Sequence, residues 1–337
     1  MGLAVFWFIE YAIATEAKGS RIVKFMRRRR SRKQASNDTS AYVMGALRQK
    51  QKWHQSQNDE EKEKYQQVDV EKYFRPSRRS ILNNRLFDYH FFNPYFGKTY
   101  SEISLPAFFL DTPENAILYY FSILQEAENL TEQLIGGCGT VGWAKTPFSI
   151  AYNFFTKDYK QKIPYTTYVA SFEGVGHTNL IKLYKLPNQK ADQPTRFFIE
   201  FETINGTATG VSAFEYYYGT ISIQKEDGLY KIDNINLIGE DFLCAAYHGW
   251  RQQGENVVDI EYGGWCKLIK KRLPTKRDDY VKFIDIIGMN GNNYRFVFVQ
   301  ITNDTDVLVS QLIKRKQGST WEETKIDPTK CVENKES

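Results

Sequence analysis

Arg196 to Ile238 reads RFFIEFETINGTATGVSAFEYYYGTISIQKEDGLYKIDNINLI, two strand blocks and a marked turn. Phe, Tyr and Ile crowd the stretch, and these side chains favour a pleated, half-buried surface. Apolar alternation runs through Ile199, Phe201 and Thr203, and again through Tyr217, Gly219, Ile221 and Ile223. Lys225-Glu226-Asp227-Gly228 then separates two strand-like segments. Gly after Asp supplies positive φ at little cost, so the four residues predict a hairpin. Beyond the turn the apolar parity shifts from Tyr230 and Ile232 to Ile235 and Leu237, which predicts one bulge near Asp233-Asn234. An antiparallel sheet therefore forms the centre of an α+β fold.

Outward from the sheet, Thr112-Pro113-Glu114 marks a helix start, with Thr112 as cap and Pro113 at the first helical position. Ile117, Phe121 and Leu124 follow on one apolar stripe. Further helical segments are expected over residues 130–135, 147–159 and 241–250. Strands are expected over 165–172, 179–186 and 257–269, besides those of the opening stretch. After Pro274, strands over 280–287, 294–301 and 307–314 are joined by turn-rich loops and form a β-meander.

The first 33 residues carry nine Lys and Arg against Glu10 and Glu16, so a chain of net charge +5 leaves a body of −2 from Gln34 onward. A near-neutral body argues against nucleic acid, which calls for cations spread over a folded face. Leu3 to Ala14 reads LAVFWFIEYAIA and precedes the run Arg27-Arg28-Arg29-Arg30-Ser31-Arg32-Lys33. That is the reverse of an export signal, where positive residues come first. Membrane contact through Trp7, Phe8, Arg27, Arg28, Arg29 and Arg30 is expected, with the body on the cytoplasmic face because Lys and Arg accumulate on that side. A helix docked into the protein's own core, or true initiation at Met26 and a cytoplasmic soluble protein, are the other readings. Residues 34–82 are a polar linker or solvated helix, 83–273 the α+β domain, and 274–337 a β-rich tail.

Helices followed by a long run of antiparallel strands, with FFIEFETI and YYYGTISIQKEDGLYKIDNINL among them, resemble the nuclear-transport-factor-like superfamily. The resemblance covers residues 112–269, about half of the chain. It implies a cone-shaped domain whose bent sheet wraps around helices and leaves a pocket between them, used for catalysis in some members and for partner binding in others. Tyr217 and His177 are the expected pocket residues.

Catalytic signals are thin. Asp241, Cys244 and His248 fall at i, i+3 and i+7, one face of a helix, where a Cys–His pair could serve as nucleophile and base and Asp241 with His248 as general acid and base. The same three residues also suit a structural helix end. Gly137-Cys138-Gly139-Thr140-Val141-Gly142 matches a dinucleotide loop but lacks the preceding strand and following helix that such a loop needs. Cys138, Cys244, Cys266 and Cys331 include no closely spaced pair, so no metal and no cofactor are expected. A Cys244–Cys266 disulfide and a reducing compartment are both compatible with that count. Four N-x-S/T matches, at Asn37, Asn129, Asn205 and Asn303, are within what chance produces. The expected role is non-catalytic binding or scaffolding at an anionic membrane surface, with a protein partner or a second copy. The alternative is a small-molecule isomerase, dehydratase or hydrolase working in the cone.

Fractionation checks the membrane reading. Full-length protein is expected with membranes and a chain starting at Gln34 in the soluble fraction. Equal solubility of the two would remove the basis for the anchor.

Overall fold

The computed structural model describes residues 75–83, 89–136, 145–187, 193–242, 249–316, 318 and 320–333, all within one compact unit, Val68–Ser337. Residues 1–33, the polar stretch to residue 68, the glycine motif 137–142, Cys244 and His248 lie outside the described residues.

Four antiparallel strands in sequence order make the first sheet: β1 (Val175–Lys185), β2 (Thr195–Asn205), β3 (Ala213–Glu226) and β4 (Leu229–Gly239). The β3–β4 connection is the two-residue turn Asp227-Gly228, both residues at positive φ (52° and 85°), which matches the right-handed twist of the flanking strands. Ser222 pairs with Asn234 and Ile223 with Ile232, so Asp233 is the extra residue of the expected bulge. Gly219 has a direct reason: a Cβ there would lie 1.9 Å from the Asn236 carbonyl oxygen.

One face of this sheet holds Leu180, Phe197, Ile199, Ile221, Ile223 and Ile232, buried against the helices. Helix α1 (Pro113–Leu124) starts as expected, with the Thr112 side chain accepting from Asn115 N. It buries Ile117, Tyr120, Phe121 and Leu124 on the sheet. Phe92, with Phe91 and Tyr95 partly buried beside it, adds the aromatic segment before α1 to the same core.

Several elements correct the expectations. Residues 165–172 form no strand: Tyr165–Ala170 is a helix. Tyr165, Tyr168, Val169 and Phe172 recur at i, i+3, i+4 and i+7, and buried Tyr168 meets Phe148, Tyr152 and Phe155. The Thr and Val content suggested a strand, but packing decides. Most of 257–269 is likewise helical, Gly254–Val257 running into a π-helical segment, Val258–Trp265, and only Ile269 at its end enters a strand. Val258 and Tyr262 are buried there, and the Tyr262 ring lies 4.2 Å from that of Phe296. The helix expected over 147–159 breaks into Thr146–Ala151, a tight turn Tyr152–Phe154 and Lys157–Lys162. Leu130 to Ile135 forms no helix, and Ile135 instead bridges to Thr207.

A second, six-stranded sheet contains β5 (Ile269–Arg272), β6 (Lys276–Asp278), β7 (Val281–Gly288), β8 (Asn293–Gln300), β9 (Asp306–Lys314) and β10 (Glu322–Glu323). Val281, Val297, Val299 and Ile301 pack on Phe198 and Leu186 at the back of the first sheet. The other face takes Val258 and Tyr262 against Ile284, Ile286 and Phe298. The layers therefore run helices, first sheet, second sheet, helical segment. A Cys266–Cys331 disulfide ties that segment to the C-terminal helix Pro328–Glu333. Cys266 is thus paired across 65 residues and not with Cys244, and disulfides persist in oxidising surroundings.

Ile221 is fully buried at the centre of the first core. Its replacement by Ala is expected to cost about 2–5 kcal/mol in denaturant unfolding, as for a buried aliphatic side chain. A loss under about half a kcal/mol, typical of a surface position, would reverse the assigned face.

Candidate functional site

Between α1 and the first sheet the packing leaves a cavity of about 180 Å³. Tyr120, Phe121 and Leu124 of α1 form one wall, and Phe201, Tyr217 and Ile235 the other. Exposed Ser171 and Leu237 stand at its mouth. Thr178 of β1 and Thr203 of β2 are cross-strand partners and both line the floor, 1% and 2% exposed.

The polar groups of this cavity differ in how they are used. Tyr120 OH accepts from Tyr168 OH at 3.4 Å, and burial raises both phenols. Tyr217 OH donates to Glu215 Oε2 at 2.7 Å; burial, then that carboxylate, pushes the phenol up to about 12. Thr203 Oγ1 reaches the Glu215 carbonyl at 3.5 Å. Thr178 Oγ1 is buried and has no hydrogen-bond partner among the described residues. A buried hydroxyl left unsatisfied costs about 1–3 kcal/mol, so a guest that bonds to it gains more than from an exposed hydroxyl. No carboxylate, imidazole, lysine or thiol belongs to the described lining.

Of the residues proposed from sequence, Tyr217 lines the cavity and His177 does not. His177 precedes Thr178 on β1, and strand alternation turns neighbouring side chains to opposite faces. Asp241 is exposed and lies outside the lining; its carbonyl oxygen accepts from Asn303 Nδ2 at 3.3 Å. Cys244 and His248 are outside the described residues, so the constellation as a whole is not brought together in them.

A second site was not read from sequence at all. The back of β2 carries Glu200 and Glu202, each fully buried. Lys182 Nζ donates to Glu200 Oε2 at 2.6 Å and to the Gln300 carbonyl at 2.7 Å. Thr302 donates to Glu200 Oε1 through its backbone N–H at 3.0 Å and also through its hydroxyl. Glu202 is held by Arg75 at 2.7 Å, Ser77 Oγ at 2.9 Å and Asn179 Nδ2 at 3.3 Å. Desolvation lowers Lys182, and Glu200 opposes that shift. Beside them Glu240 is pushed up to about 9, first by burial and then by the Glu200 carboxylate, so at neutral pH it is protonated and can donate to Glu200. The signal was present in FFIEFETI, where both glutamates occupy the parity opposite Ile199 and Phe201. Alternation alone assigns that face to solvent, because a covering sheet cannot be read from the strand.

Compared with known proteins, the chain matches no family model, no curated protein and no solved structure.

Glu240 gives a pH signature with a definite sign. Its folded value lies above its ordinary 4.5, so folding takes up a proton between the two values. The resulting stability is complete below about 4.5 and is lost as pH rises through about 9. Denaturation midpoints measured across that interval are expected to fall with pH less in Glu240→Gln than in the native chain. Parallel profiles for the two proteins would contradict the protonated carboxyl.

Proposed function

We propose that this protein is a non-catalytic binding protein whose cavity takes a small, mainly apolar molecule carrying one hydrogen-bonding group. One observation carries the reading: the aromatic and aliphatic lining includes Thr178, whose buried hydroxyl has no partner among the described residues. Apolar cavities of roughly 150 Å³ accept benzene-sized guests, so the volume suits a single-ring compound. Ligand sites are commonly apolar with few placed polar groups, and this lining has that composition. The position between a helix and an antiparallel sheet supports the resemblance to the nuclear-transport-factor-like superfamily.

In this reading residues 1–33 hold the protein at a membrane. Two observations bear on the side. The Lys and Arg run favours the cytoplasmic face, whereas the Cys266–Cys331 bond favours an oxidising compartment.

Calorimetric titration of the full-length chain with benzene and phenol tests the cavity. Both are expected to bind, and Thr178→Val should weaken phenol by up to about tenfold, the worth of one hydrogen bond, while leaving benzene unchanged. Leu237→Trp, at the mouth, should weaken both. Absence of binding by either compound, or equal losses for the two in Thr178→Val, would reject the proposal.

A further inference from the structure

The six-stranded sheet has an edge that the cavity does not use. β5 and β6 pair one after the other along the same strand, β7. From Lys267 to Arg277 the chain carries Lys267, Lys270, Lys271, Arg272, Lys276 and Arg277, and no acidic residue. Arg272 is tied to Asp259 and Thr275. The other five are exposed. No side-chain hydrogen bond or ion pair engages any of these five among the described residues. Pairing is frequent elsewhere: Arg79, Lys157, Lys185, Arg196, Lys231 and Arg315 each meet a carboxylate.

The eight residues of β7 extend over about 27 Å, so the cations form a strip of that order. At one end the turn after β7 exposes Met289, 65% accessible, and its N–H donates to the Leu268 carbonyl at 2.8 Å, which sets it beside Lys267. The strip holds six positive charges against Asp278 at the end of β6, a net +5, and the chain beyond residue 33 has a net charge of −2, which leaves −7 on the remainder. That asymmetry orients the body in a field of one sign.

We propose that this edge is a contact surface for anionic lipid headgroups, independent of the basic run at residues 27–30. Four of the five free cations are lysines, compact point charges suited to diffuse, mobile headgroups. A single-stranded nucleic-acid face would interleave aromatic side chains for stacking. Here the neighbouring rings are engaged elsewhere: Tyr280 donates to the Leu183 carbonyl at 3.0 Å, Phe283 lies under Arg295, Trp265 meets Trp250 and Tyr262 meets Phe296. Met289 offers an apolar side chain to the same interface.

Lysines on a sheet edge also discourage pairing with another chain, and the experiment separates that role. Lys270→Gln, Lys271→Gln and Lys276→Gln are combined in the full chain, with and without Arg27 to Arg30 changed to Gln. Partition is measured on phosphatidylcholine vesicles with and without phosphatidylglycerol. The triple variant is expected to lose on the order of 100-fold in partition to the anionic vesicles in both backgrounds. Its salt dependence should be shallower, with no change on neutral vesicles. Circular dichroism and thermal midpoints should match the native chain, since all three side chains are exposed. Unchanged partition, with or without new self-association, would overturn the proposal in favour of edge protection. If the triple variant keeps its partition to anionic vesicles and instead loses binding to single-stranded DNA, measured in parallel, the proposal is overturned in favour of a nucleic-acid face.

Discussion

β2 is covered on both faces, and the rest of the molecule depends on how its rear carboxylates are compensated. Two ionised groups removed from water cost several kcal/mol each unless paired and hydrogen-bonded. Glu200 and Glu202 sit two residues apart on that rear face. Lys182 from the neighbouring strand, Thr302 from the loop after β8, and Arg75 with Ser77 from the segment ahead of the core converge on them. Parts of the chain separated by more than a hundred residues are thereby brought to one strand. Breaking such a pair by removing one partner is costlier than never building it.

The front of β2 obeys a different constraint. Its side chains meet an aromatic core in which Tyr120, Phe155, Tyr168 and Phe172 make edge-on and tilted contacts, with ring centroids 5.2–5.6 Å apart. Large rings held at such angles do not fill every space as aliphatic chains can, and the residual volume lies where α1 ends and Thr178 faces Thr203. The same strand therefore separates a charged seam, whose Glu200 and Glu202 are both engaged, from an apolar hollow beside the unpartnered Thr178 hydroxyl. A ligand finds use only for the second.

Electrostatics divides the molecule a second time. The seam behind β2 is charged and closed by partners, and the Arg295–Asp285 pair on the second sheet is bidentate at 2.7 and 2.8 Å. The β5–β6 edge is charged and open. Exposed cations contribute little to folding, so their spacing along one edge is free to answer to an external surface.

Local patterns in the sequence determined the antiparallel strands, the Asp227-Gly228 hairpin, the Asp233 bulge and the capped start of α1. Each depends on residues within a few positions of one another, through φ preference, side-chain alternation or a cap bond. The shared face of Tyr217 and Ile221 was legible for the same reason, by parity. The helices at 165–170 and 254–265 were not, because β-branched and aromatic residues suit a strand equally well until Tyr168 and Tyr262 find their cores. Thr178 was missed because a lone threonine carries no sign of lacking a partner. Glu200 and Glu202 read as a solvated face, and only the stacking of a second sheet buried them. Tertiary structure alone decided these points, and the Cys266–Cys331 pairing with them, since burial and partnership are properties of what lies across the layer and not of what lies next along the chain.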